Sequence, residues 1–218
     1  MRLADYIGKY WAGAEVIYAV IIAMTFTSVL RGFIFDAEKA VNTVVYSALF
    51  CCIAWGIADG AFYAWERNYI FRRENEIVAI SKIPEKSESA VAMIRDELDD
   101  TILRNINEEN RLGLYQKLVQ YLSEFGRKQE LSARDAISIV AATFISSTVA
   151  AVLVILPFFL IDDLQNALNI SNLVCIILLF IAGYSRALDR SLNARLTSAI
   201  GTAFIGVIIA VVTIRLGG

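Results

Sequence analysis

The sequence predicts an all-α polytopic membrane protein with five transmembrane helices and a cytoplasmic helical insertion between spans two and three. Three observations predict it. Of the 218 residues, 57% are hydrophobic and only 19% are charged, whereas soluble domains carry about a quarter charged residues. The charge is concentrated in residues 66 to 135 and a few short flanks. Elsewhere, five segments supply the roughly 20 mostly apolar residues that a helix needs to cross about 30 Å of hydrocarbon. The expected organisation is residues 1–65 for the N-terminal segment and spans one and two, 66–135 for an acidic cytoplasmic helical domain, and 136–218 for spans three to five.

The expected spans are 11–34, 41–65, 136–161, 170–187 and 196–216. The last three are uninterrupted by ionisable side chains over long runs such as 137–161, whereas the first two each contain one acid, Glu15 and Asp59. The first segment is too long for a removable signal peptide and lacks a small-residue cleavage site, so it is read as a permanent span. Orientation follows from the basic residues, which concentrate in cytoplasmic loops. Seventeen of the 20 fall in the N-terminus (Arg2, Lys9), the 67–134 segment and the 186–195 loop; the opposite side holds Arg31, Lys39 and Arg215. This places the N-terminus in the cytoplasm and the C-terminus outside it.

Between spans two and three, hydrophilic residues with helical periodicity predict folded helices. The first continues span two through Glu66, Glu74 and Glu76 and stops before Pro84, which lacks the N–H a helix interior needs. A second starts near Ser87 or Ser89 and carries Val91, Ile94, Leu98, Ile102 and Ile106 on one stripe. A third follows the N-cap Asn107, buries Leu112, Tyr115, Leu118, Val119 and Leu122, and ends at Gly126. Ser132 and Asp135 are spaced as a capping box for span three.

Composition also excludes function classes. A formal net charge of −2 from 20 basic and 22 acidic residues gives no basic excess for nucleic acid. Histidine is absent, so carboxylates are the side chains left to exchange protons near neutral pH. Cys51, Cys52 and Cys175 lie inside spans without metal-ligand spacing and read as packing residues. No enzyme chemistry and no permanently bound cofactor is expected.

The two span acids are the candidate site. Glu15 lies about 9 Å into span one from Lys9, and Asp59 about 11 Å into span two from its inner end, at 1.5 Å per residue. A short connection, about 32–40, makes these spans an antiparallel hairpin in which the acids can face each other. Acids inside spans usually face a polar cavity and mark an ion or proton path. The plain alternative is that each acid has its own polar partner or reaches interfacial water. Gly56 and Gly60 flank Asp59 and permit either close helix approach or a locally opened backbone. Oxygen donors without imidazole or thiolate favour harder divalent ions.

With these residues in view, the chain resembles the vacuolar iron transporter family. The features that carry the likeness are Ala-Glu15-Val in span one, Ala58-Asp59-Gly60 in span two, Glu66-Arg67 after it, the Glu-rich insertion, Pro157 near the end of span three, and Gly183 and Gly206 in the final hairpin. Trp55 stands where the plant members carry a methionine, and Met93 is the lone methionine of the insertion. The resemblance implies a dimeric carrier that moves Fe(II) or Mn(II) out of the cytosol in exchange for protons, in a prokaryotic cell membrane. It implies that Glu66, Glu74 and Glu76 collect the ion and that Glu15 and Asp59 pass it on. Small residues Ala12, Gly13 and Ala14 are candidates for the dimer interface. The competing expectation is a non-transporting, membrane-anchored interaction module whose cytoplasmic helices bind a partner. An intramembrane aspartyl protease is disfavoured, because Ile57-Ala58 precede Asp59 in place of a Gly-x-Gly-Asp arrangement.

Overall fold

The computed structural model describes residues 11–32, 37–126 and 130–217, and every regular element among them is helical. The helices are α1 (Trp11–Ser28), α2 (Ala37–Ser81), α3 (Ser87–Leu98), α4 (Glu108–Ser123), α5 (Ala133–Ile155), α6 (Pro157–Leu160), α7 (Leu164–Ser185) and α8 (Leu192–Gly217). Short 3-10 turns cover Val29–Gly32, Pro84–Lys86 and Ile102–Asn105. Arg2, Lys9 and residues 33–36 of the first connection lie outside the described residues. The chain divides into two units, one of Met1–Ala64 with Ala133–Gly218 and one of Trp65–Ser132. The 45 residues of α2 contribute to both.

In the first unit, α1 packs against α5, α7 and α8. Its Ala19, Val20, Ala23 and Met24 are fully buried, in one cluster with Cys52 of α2, Ala151 and Val154 of α5, and Cys175 and Leu179 of α7. Four helical stretches among the described residues are long and apolar enough to cross a membrane: Val41–Ser81, Ala133–Leu160, Leu164–Ser185 and Leu192–Val212; Gly13–Ser28 is a shorter apolar helix.

Apolar helices in lipid gain little from hydrophobic association with one another, so close approach and interhelical hydrogen bonds hold them together. Three serines supply such bonds. Ser147 Oγ donates to the Cys52 carbonyl at 2.7 Å, Ser171 Oγ to that of Val154 at 2.8 Å, and Ser198 Oγ to that of Gly183 at 2.9 Å. Glycine supplies the approach. A Cβ on Gly56 would stand 2.9 Å from Ser147 Cβ, and one on Gly60 would meet Thr143 Oγ1 and lie 2.7 Å from Val140 Cα. Of the two expectations for these glycines, the structure shows the seating of α5 on α2, within a continuous helix. Gly13 likewise lies against the Arg186 stem, with 2.6 Å between Cγ and a Cβ placed on the glycine, and so serves packing within the chain.

Several boundaries differ from expectation. Helix α1 ends at Ser28 and tightens into a 3-10 turn. Pro157 breaks the third apolar segment, which resumes as the single turn α6. Helix α7 starts at Leu164, ahead of residue 170, because Asp163 caps it by accepting from the Asn166 N–H at 2.8 Å. The polar run Gln165-Asn166 hides that turn from a hydropathy count. Helix α8 starts at Leu192, where Ser191 Oγ accepts from the Ala194 N–H at 3.4 Å.

In the second unit, Ile77, Ala90, Ile94, Tyr115 and Val119 form the core. Asn107 caps α4, accepting from the Asn110 N–H at 3.1 Å. The stripe expected to run through Ile106 is cut at Leu98. Thr101 Oγ1 donates to the Leu98 carbonyl at 2.6 Å and accepts from the Leu103 N–H at 3.4 Å, so local side-chain bonds replace the helical ladder. Ile102 is consequently 80% exposed. Leu112, expected in the core, is exposed, since the buried face of α4 centres on Tyr115 and Val119.

Two glycine substitutions separate close approach from helix propensity. Gly60→Ala should destabilise the protein by about 1–3 kcal/mol through overpacking. Gly113→Ala, where nothing lies within 4 Å of the new Cβ, should be neutral or stabilise by up to about 1 kcal/mol. Thermal melting in detergent checks both.

Candidate functional site

Three contacts fix the register of α1 against α2. Cys52 Sγ donates to the Ala19 carbonyl at 3.4 Å. The Trp55 and Tyr18 rings meet edge to face with centroids 6.0 Å apart. Asp59 stands beside Glu15. Position numbers rise on one helix as they fall on the other, the pattern of an antiparallel pair, and the two span acids meet, as their matched depths allowed.

Glu15 is fully buried. Asp59 and Tyr63, one turn apart on α2, are the polar side chains beside its carboxyl group. Neither Glu15 oxygen, nor Oδ2 of Asp59, accepts a hydrogen bond in good geometry from a described residue. An ionised carboxylate buried without a partner costs several kcal/mol. Two that face each other are relieved by sharing a cation, whether a proton or a metal ion. Carboxylate and phenol oxygens are the donors suited to a divalent ion of intermediate to hard character. Tyr63 escaped the sequence reading, although its i,i+4 spacing from Asp59 is a signal that it shares that face.

The acids of the second unit are engaged differently. Arg73 gathers three, with Glu76 at 3.3 Å, Asp96 at 3.6 Å and Glu97 at 3.2 Å. Asp99 accepts from Arg95 at 3.0 Å, Arg111 at 3.1 Å and the Tyr115 hydroxyl at 2.7 Å. Arg95 also binds Glu108 at 3.0 Å. Glu66 is exposed, and Glu74 lines a largely apolar cavity of about 530 Å³ with Tyr69, Arg73 and Leu118. No group of three His, Cys, Asp or Glu side chains placed to hold a metal ion occurs among the described residues. The structure therefore brings Glu15 and Asp59 together, and it does not gather Glu66, Glu74 and Glu76 into one cluster.

The family model of the VIT family matches residues 67–218, more than half of the chain. The chain belongs to the VIT family. No curated protein matches it. Membership in this family of vacuolar iron transporters makes the VIT protein a membrane protein of metal-ion transport. The matched residues take in most of the second unit and α5 to α8, while Glu15 and Asp59 precede them.

The Asp99 cluster gives this VIT protein a defined acid sensitivity. The Tyr115 hydroxyl, then Arg95 and Arg111, hold the Asp99 carboxyl below its ordinary value of 3.8. A lowered folded-state value means the contribution is complete above 3.8 and is lost as the pH falls through the lowered value. Asp99→Asn should therefore reduce stability at pH 7, and its difference from wild type should shrink progressively below pH 3.8. Thermal melting across pH 2 to 7 (about, bracketing the ordinary carboxylate range) measures that difference.

Proposed function

We propose that this VIT protein is a proton-coupled carrier that exports Fe(II) or Mn(II) from the cytosol, working as a homodimer with Glu15 and Asp59 lining the path. The observation that carries the reading is the fully buried Glu15 facing Asp59, with the Tyr63 side chain beside them. Such a pair holds a cation by charge and releases it when protons take its place. With histidine absent, the same carboxylates serve both tasks. Glu66, Glu74 and Glu76 act as the cytoplasmic acids that attract the ion by charge before the pair binds it.

In this reading α1 is the first of five spans. Its 18 residues rise about 27 Å, and the four-residue 3-10 turn after it adds about 8 Å, enough for roughly 30 Å of hydrocarbon. The N-terminus and the 66–135 insertion are cytoplasmic, the C-terminus is not, and the membrane is that of a prokaryotic cell. The seventeen-to-three partition of basic residues supports this orientation.

In proteoliposomes under a proton gradient, wild type should take up Mn(II) or Fe(II), and Glu15→Gln and Asp59→Asn should each reduce uptake at least about tenfold, the effect of about 1.4 kcal/mol on the rate-limiting barrier. Undiminished uptake by both variants refutes the assignment. Binding to the folded state also raises stability, by about 2.7 kcal/mol at a hundredfold excess over Kd. Mn(II) and Fe(II) should raise the melting temperature more than Mg(II), which sheds its water reluctantly, and the rise should disappear in the double variant.

A further inference from the structure

The acid pair is covered on one side by a pair of rings. Tyr18 lies about 4.5 Å beyond Glu15 along α1, and Trp55 about 6 Å beyond Asp59 along α2, both toward the α1–α2 connection. The two rings touch edge to face at a centroid distance of 6.0 Å. Beyond them toward the connection the hairpin interior is small and apolar for about two turns, with Ala23 and Met24 on α1 and Ala48 on α2 fully buried, before the buried hydroxyls of Thr27 and Ser28. The nearest polar side chain on that stretch of α1, Thr25, already donates to the Ile21 carbonyl at 2.8 Å. The rings are thus the first barrier that water or an ion meets on leaving the carboxylates in that direction.

The rings also differ from their neighbours in freedom. Ala19 and Cys52, adjacent to them in the register, are fully buried, whereas Tyr18 is 46% and Trp55 40% exposed. Both rings thus reach the surface of the chain and are not enclosed by the core. Below them Glu15 is sealed, and Asp59 is half-buried with Oδ2 enclosed. Edge-to-face packing contributes about 0.5–1.5 kcal/mol, so the ring contact is a weak latch.

We infer that Tyr18 and Trp55 form an aromatic gate over the Glu15–Asp59 pair, closing it from the side of the α1–α2 connection and opening by ring rotation. They are positioning residues: they bind no ion, and they control when protons and water reach the carboxylates. The inference rests on the carrier reading for what the gate serves, and its test needs no metal.

The assay is metal-free proton leak into proteoliposomes under an imposed pH gradient, read with an internal pH dye. Trp55→Leu and Tyr18→Leu should each raise the leak about tenfold, a lowering of the barrier by about 1.4 kcal/mol. Trp55→Phe, which keeps a ring edge for Tyr18, should restore the seal. Adding Glu15→Gln to Trp55→Leu should abolish the extra leak, because the proton then has no carboxylate to occupy. Phe50→Leu removes another exposed ring from α2 and should leave the leak unchanged. Retained melting transitions certify folding of each variant; where one leucine variant does not fold, the other decides. Wild-type leak in the folded leucine variants overturns the gate, as does an equal leak from Phe50→Leu or one that survives Glu15→Gln. If wild type moves no metal while the leucine variants leak through Glu15, the carrier reading falls and the gate stands.

Discussion

A helix that is apolar around most of its circumference and carries a carboxyl group on one face has to be enclosed, and α1 sets that condition for the transmembrane unit. Its alanines let α5, α7 and α8 approach closely. The remaining side falls to α2, which presents Cys52, Trp55 and Asp59 in antiparallel order. Enclosure by four helices removes Glu15 from solvent altogether, and a lone charge there would be prohibitive. In the proposed carrier the second acid converts that problem into a site, where two carboxylates at one depth share a cation that neither would hold alone.

The geometry of that site is held by groups that never touch it. Seating α5 on Gly56 and Gly60 fixes the lateral position of the α2 turn bearing Asp59. The Ser147 bond to the Cys52 carbonyl fixes its height. Serines and glycines recur at the α7–α8 contact, where Ser198 meets the Gly183 carbonyl and a Cβ on Gly183 would approach Thr202 Oγ1 to 2.6 Å. A bundle in lipid depends on such van der Waals fit and short polar bonds in place of hydrophobic collapse. The second unit follows the rules of an aqueous domain: an apolar core around Tyr115 and Ile94, with arginines cross-linking acids on separate helices.

Much of this was legible in the residues because it depends on short-range regularities. Apolar runs marked the long helices, Asn107 announced α4, and Pro84 ended a helical run where its missing N–H requires, whereas the break at Pro157 was masked by the unbroken apolar run around it. The meeting of Glu15 with Asp59 followed from counting 1.5 Å steps along two antiparallel helices. What escaped depended on partners distant in sequence. Nothing near Glu97 reveals that Arg73, 24 positions earlier, binds it, so an acid-rich segment reads alike whether its carboxylates collect an ion or bind arginines. The truncation of α3 at Leu98 turned on a single threonine hydroxyl competing with the backbone. Tyr18 carries no signal of its own in the sequence and Trp55 stood out only for replacing a methionine; the register is what brings their rings together.

The bond from Ser147 to Cys52 spans 95 positions of the chain, which gives the molecule a history as well as a shape. At about 5–20 residues per second, the ribosome delivers Ser147 roughly 5 to 19 s after Cys52. Throughout that interval the glycine face of α2 has no α5 to receive, and the α1–α2 hairpin with its two acids already exists as a nascent chain. The hairpin must therefore survive its own biogenesis half-clad, held by its own contacts, the ring pair, the thiol bond and the acid pair among them, until the later helices arrive to fasten it.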